Sequence, residues 1–380
     1  MSSECPDVTQ VNLSLKGTEV GERQWELPPW HTHWGRLVYP LFVSVERRLF
    51  PLGTAFGFSM LSHVLTARHN VEEGLKSHHP NANQFARKGL EGARNKGDLQ
   101  HTHFVVLSQG SNPKRGDVSL DLRSLSSIHA TPPTDLLIGN MLNSEASALV
   151  PSIHPVISFA PPRIGETVFC IGYPEMEVPE GGLCVDGLRD GRLNPYEAYK
   201  HRLLVVEGRV NNIFTQRFAN GFLAGPCFTI DNEVPAGLSG GPILRTDGVI
   251  CGVVSAAASM FFDSPTAIGS LFYPLFLLRL SFGMTMAGGR FRFTATERPV
   301  AELVATQAIR TDGAEEEQLH FTPEASGVRV GAAFHKDDSA FIFEDFPAYQ
   351  RGEPMQSLSG PLRGFRPNPE HPLVKKRRGI

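Results

Sequence analysis

One run of six residues constrains this chain more than any other stretch, and it reads Gly237-Leu238-Ser239-Gly240-Gly241-Pro242. Strand-like apolar runs precede and follow it, so it lies in a connection between strands. A serine hydroxyl becomes a useful nucleophile only beside a base, and the negative charge it creates needs hydrogen-bond donors. A tight turn at Gly237 can aim the N–H groups of Gly237 and Ser239 at one point, which is an oxyanion hole. The run therefore predicts a nucleophilic serine, although a plain glycine-rich turn would share its composition.

A candidate base lies upstream, at the end of a predicted strand. His69 follows the strand-like residues 63–67, and a short helical turn is expected over residues 71–73. An imidazole titrates near neutral pH, so it can take a proton from a serine hydroxyl and return it later. His69 is one of 14 histidines and could be an ordinary loop residue, but the Thr-Ala-x-His unit over residues 66–69 favours the catalytic interpretation.

Such chemistry also needs a carboxylate that orients the histidine. Asp135 follows a proline-rich bend and heads the apolar run Leu136-Leu137-Ile138. Asp117 and Asp121 also stand at the start of a strand-like run or inside it, one unit earlier in the chain. Asp135 is preferred because a passage between two halves of the chain follows its apolar run, and the other two remain alternatives.

These motifs, in this order, resemble those of the trypsin-like serine proteases, the chymotrypsin-fold superfamily. Residues 165–174 also resemble the Gly-x-x-Val…Gly-Tyr-Pro strand of its bacterial-type members. The resemblance implies a mainly-β fold with two six-stranded antiparallel β-barrels. It implies a catalytic triad of His69, Asp135 and Ser239, with an oxyanion hole formed by the backbone N–H groups of Gly237 and Ser239.

The resemblance also indicates how a substrate binds. In the family, the backbone of the residues that match Ser255, Ala256 and Ala257 pairs with an extended peptide, so the expected partner is a protein or peptide substrate. Glu233, six residues before Ser239, matches the base of the primary specificity pocket. A carboxylate there could select arginine or lysine before the scissile bond. The loop around Glu233 lacks the family's cysteine, so this preference stays open.

Composition sets the remaining bounds. A net charge of −3 favours neither a nucleic-acid nor a membrane partner, and no apolar run is long enough to span a bilayer. The N-terminus lacks a signal-peptide pattern and the five cysteines are widely spaced, so free thiols and a cytoplasmic location are expected. Secreted trypsins carry a cysteine directly after the catalytic histidine, where this chain has Asn70. The histidines near 31–33, 78–79 and 101–103 lack companion ligands at metal-binding spacing, so no metal and no cofactor are expected.

Four segments are expected along the chain. They are an irregular lead-in over residues 1–35, a first barrel over 36–148 with a polar insertion at about 74–103, a second barrel over 149–286, and a C-terminal extension of unknown fold and function over 287–380. The lead-in is expected to pack across the first barrel. Helices are expected over 271–280 and 300–309, and a long charged loop over 175–200. The basic cluster at 375–378 is expected to be a solvated tail.

The leading hypothesis is therefore a cytoplasmic serine endopeptidase. The alternative is a protease fold kept for partner binding, with little turnover, and reaction of Ser239 with a fluorophosphonate separates the two. A third hypothesis is an enzyme that its C-terminal extension or a regulatory protein partner holds latent. A non-protease esterase is disfavoured, because Ser239 lacks the strand–turn–helix surroundings of the α/β-hydrolases.

Overall fold

The fold is known here from a computed structural model, which describes residues 17–27, 34–78, 102–111, 118–130, 134–141, 155–186, 200–214, 225–257, 264–276, 278–287, 290–314, 319–324 and 327–332. β-Strands make up most of this part of the chain. In chain order they are β1 (Thr18–Gly21), β2 (Gln24–Leu27), β3 (Val38–Val45), β4 (Arg48–Gly57), β5 (His63–Ala67), β6 (Thr102–Ser111), β7 (Val118–Ala130), β8 (Leu136–Met141), β9 (Val156–Ile157), β10 (Thr167–Gly172), β11 (Leu183–Cys184), β12 (Leu203–Phe214), β13 (Cys227–Ile230), β14 (Pro242–Arg245), β15 (Ile250–Ala257), β16 (Ala267–Ser270), β17 (Arg279–Ala287), β18 (Arg290–Pro299), β19 (Arg310–Thr311), β20 (Leu319–Glu324) and β21 (Gly327–Ala332).

Strands β3 to β8 close into a six-stranded antiparallel barrel in the order β4-β3-β6-β7-β8-β5, and β4 pairs with β5 to complete the circle. The apolar sequence of β3 suits its place in the barrel, because both faces of this strand are buried. Tyr39, Leu41 and Val43 belong to one hydrophobic cluster, whereas Val38 and Phe42, on the opposite face, belong to two others. A strand buried on both faces needs apolar residues at nearly every position.

Six further strands form a second antiparallel barrel in the order β12-β10-β14-β15-β16-β13, closed by the pairing of β12 with β13. The predicted fold class is therefore confirmed: the chain is mainly β, with two closed six-stranded barrels.

The N-terminal lead-in differs from the expectation. Residues 18–27 form the hairpin β1–β2, and β2 pairs with β12 of the second barrel rather than lying irregularly across the first. The reason is an open strand edge. β13 pairs with β12 only from Val210 onward, so the edge of β12 at residues 203–206 is left for β2. Backbone groups at such an edge are stabilised when another strand pairs with them.

The helices also differ from the expected ones. Residues 271–280 contain only a short 3-10 helix, Tyr273–Leu275, before β17 begins at Arg279. Pro274 removes an N–H group, and residues 271–276 are all buried, so the apolar run reflects burial on all sides and not a helical period. Helix α1 spans Arg68–His78, and α2 is shorter than expected, Val300–Ala305. Among the described residues, no helix has both the length and the apolar character that crossing a membrane requires.

Residues 300–311, beyond the expected end of the second barrel, pack against that barrel. Helix α2 buries Val300, Leu303 and Val304, and Ile309 follows, all in the same cluster as the barrel strands. β19 then pairs in parallel with β9, which itself pairs with β15. The expected boundary between residues 286 and 287 therefore cuts through one packing unit.

An aromatic cluster joins the two barrels. Phe56 in β4 and Phe58 just after it meet three phenylalanines from the segment of the second barrel, Phe159, Phe272 and Phe276. Ring centroids within the cluster lie 5.1–6.5 Å apart, mostly edge to face, which is a favoured geometry for aromatic pairs. The junction is thus a continuous core and not a solvated hinge.

A strand from the segment of the second barrel also joins the first barrel. Within the predicted loop over 175–200, Leu183–Cys184 forms β11 and pairs with Leu49 and Arg48 of β4. Leu183 and Val185 are buried against the first barrel, in one cluster with Phe42 and Leu49. The strand was not predicted because it is short and the residues around it are mostly charged or glycine.

Candidate active site

The register of two paired strands brings a histidine and an aspartate together. Helix α1 begins directly after β5, and Asp135 directly precedes β8, which pairs with β5. The ring Nδ1 of His69 lies 2.7 Å from Oδ2 of Asp135, and Oδ1 accepts the backbone N–H of His69 at 2.9 Å. A carboxylate only accepts hydrogen bonds, so Nδ1 donates and Nε2 is the ring nitrogen left to take a proton.

The carboxylate that contacts His69 thus belongs to Asp135. Of the two alternatives, Asp121 lies within β7, opposite Ser108 of β6, and Asp117 lies outside the described residues. Residues 79–101, which hold most of the polar insertion, and the basic cluster at 375–378 also lie outside them.

The surroundings of His69 raise the pKa of its imidazole. Burial, the largest single effect, lowers the pKa, but the charge of Asp135 and its hydrogen bond raise it, and Glu73 and Glu72 add smaller upward effects. The net pKa lies above the ordinary value for histidine, 6.5. A higher pKa makes the neutral imidazole a stronger base towards a hydroxyl proton.

Ser239 lies between β13 and β14, in a turn that requires glycine. Gly237 has a φ of +92°, and a Cβ atom there would lie 2.6 Å from the carbonyl oxygen of Tyr173. A larger residue would therefore meet both backbone strain and a fixed backbone atom. Leu238 N–H donates to the carbonyl of Pro235 at 3.3 Å, whereas the N–H groups of Gly237 and Ser239 have no acceptor within the described residues. An oxyanion hole consists of two such N–H groups that point to one place.

The Ser239 hydroxyl points to the end of β15. Its Oγ donates to the carbonyl of Ser255 at 3.3 Å, and within the described part of the chain no hydrogen bond joins it to His69. A hydroxyl hydrogen bond of 3.3 Å is long, and the group can rotate between staggered positions about Cα–Cβ. Catalytic hydrogen bonds are often loose in a free site and tighten when substrate binds.

Of the residues predicted to bind the substrate backbone, Ser255 lies beside this hydroxyl. Ser255 is fully buried and its Oγ bonds to Oγ of Ser270 at 2.6 Å, so its backbone carbonyl is the group that faces Ser239. Ala256 and Ala257 continue β15 and pair with β16 on one edge. The side chains of Ala256 and Ala257 lie outside the description.

Glu233, the predicted base of a specificity pocket, is exposed to solvent. It follows Asn232, whose side chain accepts the Glu233 N–H at 2.8 Å, in a polar turn after β13. A residue at the base of a pocket is enclosed by protein, so the exposed position gives no support to a preference for basic residues.

Residues 237–241 are called the nucleophile turn here, because they contain the predicted nucleophile Ser239. Two side chains that hold this turn were not found from the sequence. Thr54 Oγ1 donates to the carbonyl of Gly237 at 2.8 Å, and Asn70 Nδ2 donates to the carbonyl of Ser239 at 2.7 Å. The sequence marks Asn70 only as a departure from the cysteine of secreted trypsins. It carries no signal for Thr54, because a strand pattern does not tell which backbone a hydroxyl will meet.

The site therefore draws on both barrels: His69 and Asp135 come from the first, and Ser239 comes from the second. The order along the chain is histidine, aspartate, serine, on two closed six-stranded antiparallel barrels. The fold is that of the trypsin-like serine proteases. This trypsin-like fold contains no disulfide among its described cysteines, since Cys170, Cys184, Cys227 and Cys251 are all free.

Comparisons with known proteins give likenesses in solved structures, whereas no protein-family model and no curated protein matches the chain. The active form of the Rv3671c protease from M. tuberculosis is 19% identical, with 62% of this chain and 76% of that chain covered and a TM-score of 0.38. Deg5 is 19% identical, with 61% of this chain and 82% of that chain covered and a TM-score of 0.36. Likenesses of this size say nothing about activity, which depends on the geometry of the site itself.

Proposed function

We propose that this chain is a serine endopeptidase in which Ser239, His69 and Asp135 form a catalytic triad. The observation that supports this most is the double contact of Asp135 with His69, at 2.7 Å to the ring and 2.9 Å to the backbone N–H. The two contacts fix the tautomer and the orientation of the ring, with Nε2 as the basic nitrogen. A serine in a glycine-rich turn on the facing barrel is the matching nucleophile.

The proposed reaction has two halves. Nε2 of His69 takes the proton of Ser239 Oγ while Oγ attacks the peptide carbonyl, and the N–H groups of Gly237 and Ser239 donate to the resulting oxyanion. The imidazolium gives its proton to the leaving amine, the C–N bond breaks, and an acyl-enzyme remains. Water then gives a proton to His69 and attacks the ester. The bond between the acyl carbon and Oγ breaks, and the imidazolium gives its proton to Oγ, which releases the acid and restores the serine.

An extended peptide substrate suits the edge of β15. Val254 uses its N–H and its carbonyl to bind Gly241 and Gly240, so the nucleophile turn occupies this edge up to Val254. Beyond it, the backbone of Ser255 and Ala257 is proposed to pair with the substrate main chain. A substrate N–H that bonds to the Ser255 carbonyl displaces the Ser239 hydroxyl and frees it for His69.

Labelling with a fluorophosphonate probe tests the proposed activity. The folded wild-type chain should react at Ser239, and Ser239→Ala should abolish labelling. Ser264→Ala, which removes an exposed serine elsewhere, should leave labelling unchanged. His69→Ala should slow labelling by about 10³-fold or more, because the members of a triad act as a unit. A folded wild-type chain that the probe does not label at neutral or alkaline pH contradicts the proposal.

A second candidate function is partner binding by a protease fold with little turnover. The observation that favours it is the Ser239 hydroxyl, which bonds to the Ser255 carbonyl and not to His69. Fluorescence anisotropy with a labelled peptide library distinguishes the two functions. Peptides that bind the wild type tightly but stay uncut, together with an absence of probe labelling, support the second candidate.

Regulation is proposed to come from the C-terminal residues beyond Ala314 or from a protein partner. Residues 300–312 are packed or paired against the second barrel, so the proposed gate lies among the residues that follow them. A truncation after Ala314 keeps α2 and β19 and is the suitable test. Faster labelling of this variant than of the full chain supports a gate, and an equal rate contradicts one formed by those residues.

A further inference from the structure

We infer that Thr54 and Asn70 are positioning residues, which hold the nucleophile turn of the second barrel in register with His69 on the first. This role rests on the proposed serine-protease function. Both side chains are buried, with exposed fractions of 0% for Thr54 and 5% for Asn70. They act on Ser239 through its backbone and the neighbouring turn.

The Thr54 hydroxyl links three parts of the molecule. Its Oγ1 accepts the N–H of Tyr173 at 2.9 Å and donates its one proton to the carbonyl of Gly237 at 2.8 Å. The backbone of Thr54 is held as well: its N–H donates to the carbonyl of Ser239 at 2.9 Å, and its carbonyl accepts the Thr66 hydroxyl at 2.6 Å. A strand of the first barrel thus fixes two carbonyls of the nucleophile turn.

Asn70 adds a link from the residue next to the base. Its Nδ2 donates to the carbonyl of Ser239 at 2.7 Å and lies 3.4 Å from the Thr66 hydroxyl. Gly53 leaves room for this bond, since a Cβ atom there would lie 2.7 Å from Nδ2 and 2.9 Å from the Ser239 carbonyl oxygen. The Ser239 carbonyl therefore accepts two hydrogen bonds from the first barrel, one beside His69 and one from β4.

These contacts fix the positions of the Ser239 hydroxyl and the oxyanion N–H groups. The carbonyls of Gly237 and Ser239 lie at the two ends of the segment 238–239, so holding both fixes Oγ and the oxyanion N–H groups relative to His69. Catalytic groups need to be held within about 0.5 Å of the productive geometry. Loss of the contacts should slow the chemical step and leave binding nearly unchanged. We expect the maximal rate of inactivation by a fluorophosphonate to fall about 10- to 100-fold, with its half-saturating concentration within about twofold.

Thr54→Val tests the role of the hydroxyl, because it removes the hydroxyl at nearly constant volume. Thr54→Ser keeps the hydroxyl and should restore most of the rate. Thr229→Val is the matched control: Thr229 is a buried threonine in β13 whose hydroxyl has no hydrogen-bond partner in the described part of the chain. The fluorophosphonate should inactivate Thr229→Val at the wild-type rate. Asn70→Ala should resemble Thr54→Val and, because both hold one turn, the double variant should lose less than the product of the single losses.

The measurement uses the full chain, with the rate and half-saturating concentration of fluorophosphonate inactivation determined separately at a temperature where every variant is folded. If Thr54→Val and Asn70→Ala both inactivate at the wild-type rate, the inference is wrong. An equal loss in Thr54→Ser and Thr54→Val also overturns it, because the hydroxyl then plays no part.

Hydrogen exchange separates this inference from the proposed activity. The peptide that contains residues 237–241 should exchange its amide hydrogens faster in Thr54→Val than in Thr54→Ser, while peptides from β13 and β16 should not change. This readout needs no turnover. A wild-type chain that the probe never labels refutes the proposed activity alone, whereas unchanged exchange at residues 237–241 refutes the positioning role.

Discussion

Asp135 contacts His69 at two points, and the two contacts have different consequences. The bond to Nδ1 selects the tautomer, and the bond to the backbone N–H fixes the start of α1 against the carboxylate. Asp135 also accepts the Arg68 N–H through its own backbone carbonyl at 3.0 Å. At the scale of single residues, the site is therefore arranged around one carboxylate and the helix start beside it.

Asp135→Asn removes the charge and keeps the shape of the side chain. We expect fluorophosphonate labelling to slow by about 10⁴-fold, because an amide no longer enforces the tautomer or stabilises the imidazolium. Asp186→Asn, which neutralises a carboxylate paired with Arg47 on the surface, is the control and should label within about twofold of the wild type. A loss of less than tenfold in Asp135→Asn would argue against its role in the triad.

The labelling rate should fall on the acid side with a midpoint above pH 6.5, because the pKa of His69 is raised above that value and only the neutral imidazole is a base. Asp135→Asn should move this midpoint to lower pH. His201 cannot cause the change, since burial lowers its pKa to about 4. A labelling profile with a midpoint below pH 6 in the wild type would contradict the assignment.

The pKa shifts of His69 and His201 make the stability of the fold depend on pH in opposite directions. The raised pKa of His69 contributes stability that is fully present below pH 6.5, its unfolded value, and is lost as the pH rises through the folded pKa. The lowered pKa of His201 gives stability that is present above pH 6.5 and lost as the pH falls towards about 4.

At the scale of elements, β4 connects the parts of the molecule. Successive residues alternate faces along a strand, so Thr54 and Phe56 share the face towards the second barrel while Ala55 lies in the other cluster. Thr54 holds the nucleophile turn, and Phe56 with Phe58 forms the aromatic junction. A single strand thus ties the site to the packing between the barrels.

Phe58→Ala should destabilise the chain by about 3–5 kcal/mol, because it leaves a cavity in the aromatic junction where Phe58 is fully buried. Urea unfolding followed by tryptophan fluorescence measures this loss. Ile164→Ala, at a side chain that is 59% exposed, should change stability by no more than about 0.5 kcal/mol. Similar losses in the two variants would mean that the junction is not a packed core.

At the scale of the whole molecule, the hydrophobic core extends across the expected domain boundaries. One cluster contains residues of the first barrel, the second barrel and α2. Arg245 strengthens the same connection, since its guanidinium lies 3.0 Å from Asp312, just after β19, and also pairs with Asp247. The C-terminal segment through residue 312 is therefore part of the second barrel's structure, whatever the rest of the extension does.

Truncation before residue 288 should leave the chain unfolded or aggregated, whereas truncation after Ala314 should keep the wild-type melting temperature within a few degrees. The first variant lacks Val300, Leu303 and Ile309 and exposes the apolar surface that they cover. Burial of each of these side chains contributes about 1.5–3 kcal/mol to stability. Thermal unfolding followed by circular dichroism distinguishes the two. A folded, stable variant that ends at residue 287 would contradict the packing of α2.

The sequence pointed to the residues that we propose carry out the chemistry more clearly than to the residues that hold them. The serine run and the Thr-Ala-x-His unit pointed to Ser239 and His69, and the apolar run after Asp135 pointed to the aspartate that the structure sets against His69. Thr54, the β1–β2 hairpin and the burial of α2 had no such signal. A hydrogen bond across 183 residues, or a strand edge left open by its neighbour, depends on which elements meet in space.

The sequence alone determined the run around Ser239, because a short glycine-rich turn between strands is a local property: backbone angles and side-chain types suffice to recognise it. The fold class followed from the family resemblance that this run and the histidine and aspartate motifs carry. The tertiary structure decided the rest. It set Asp135 against His69 through the register of β5 and β8, it placed Thr54 and Asn70 on the carbonyls of the nucleophile turn, and it joined α2 to the second barrel. These arrangements depend on packing between segments far apart in the chain, which no local pattern encodes.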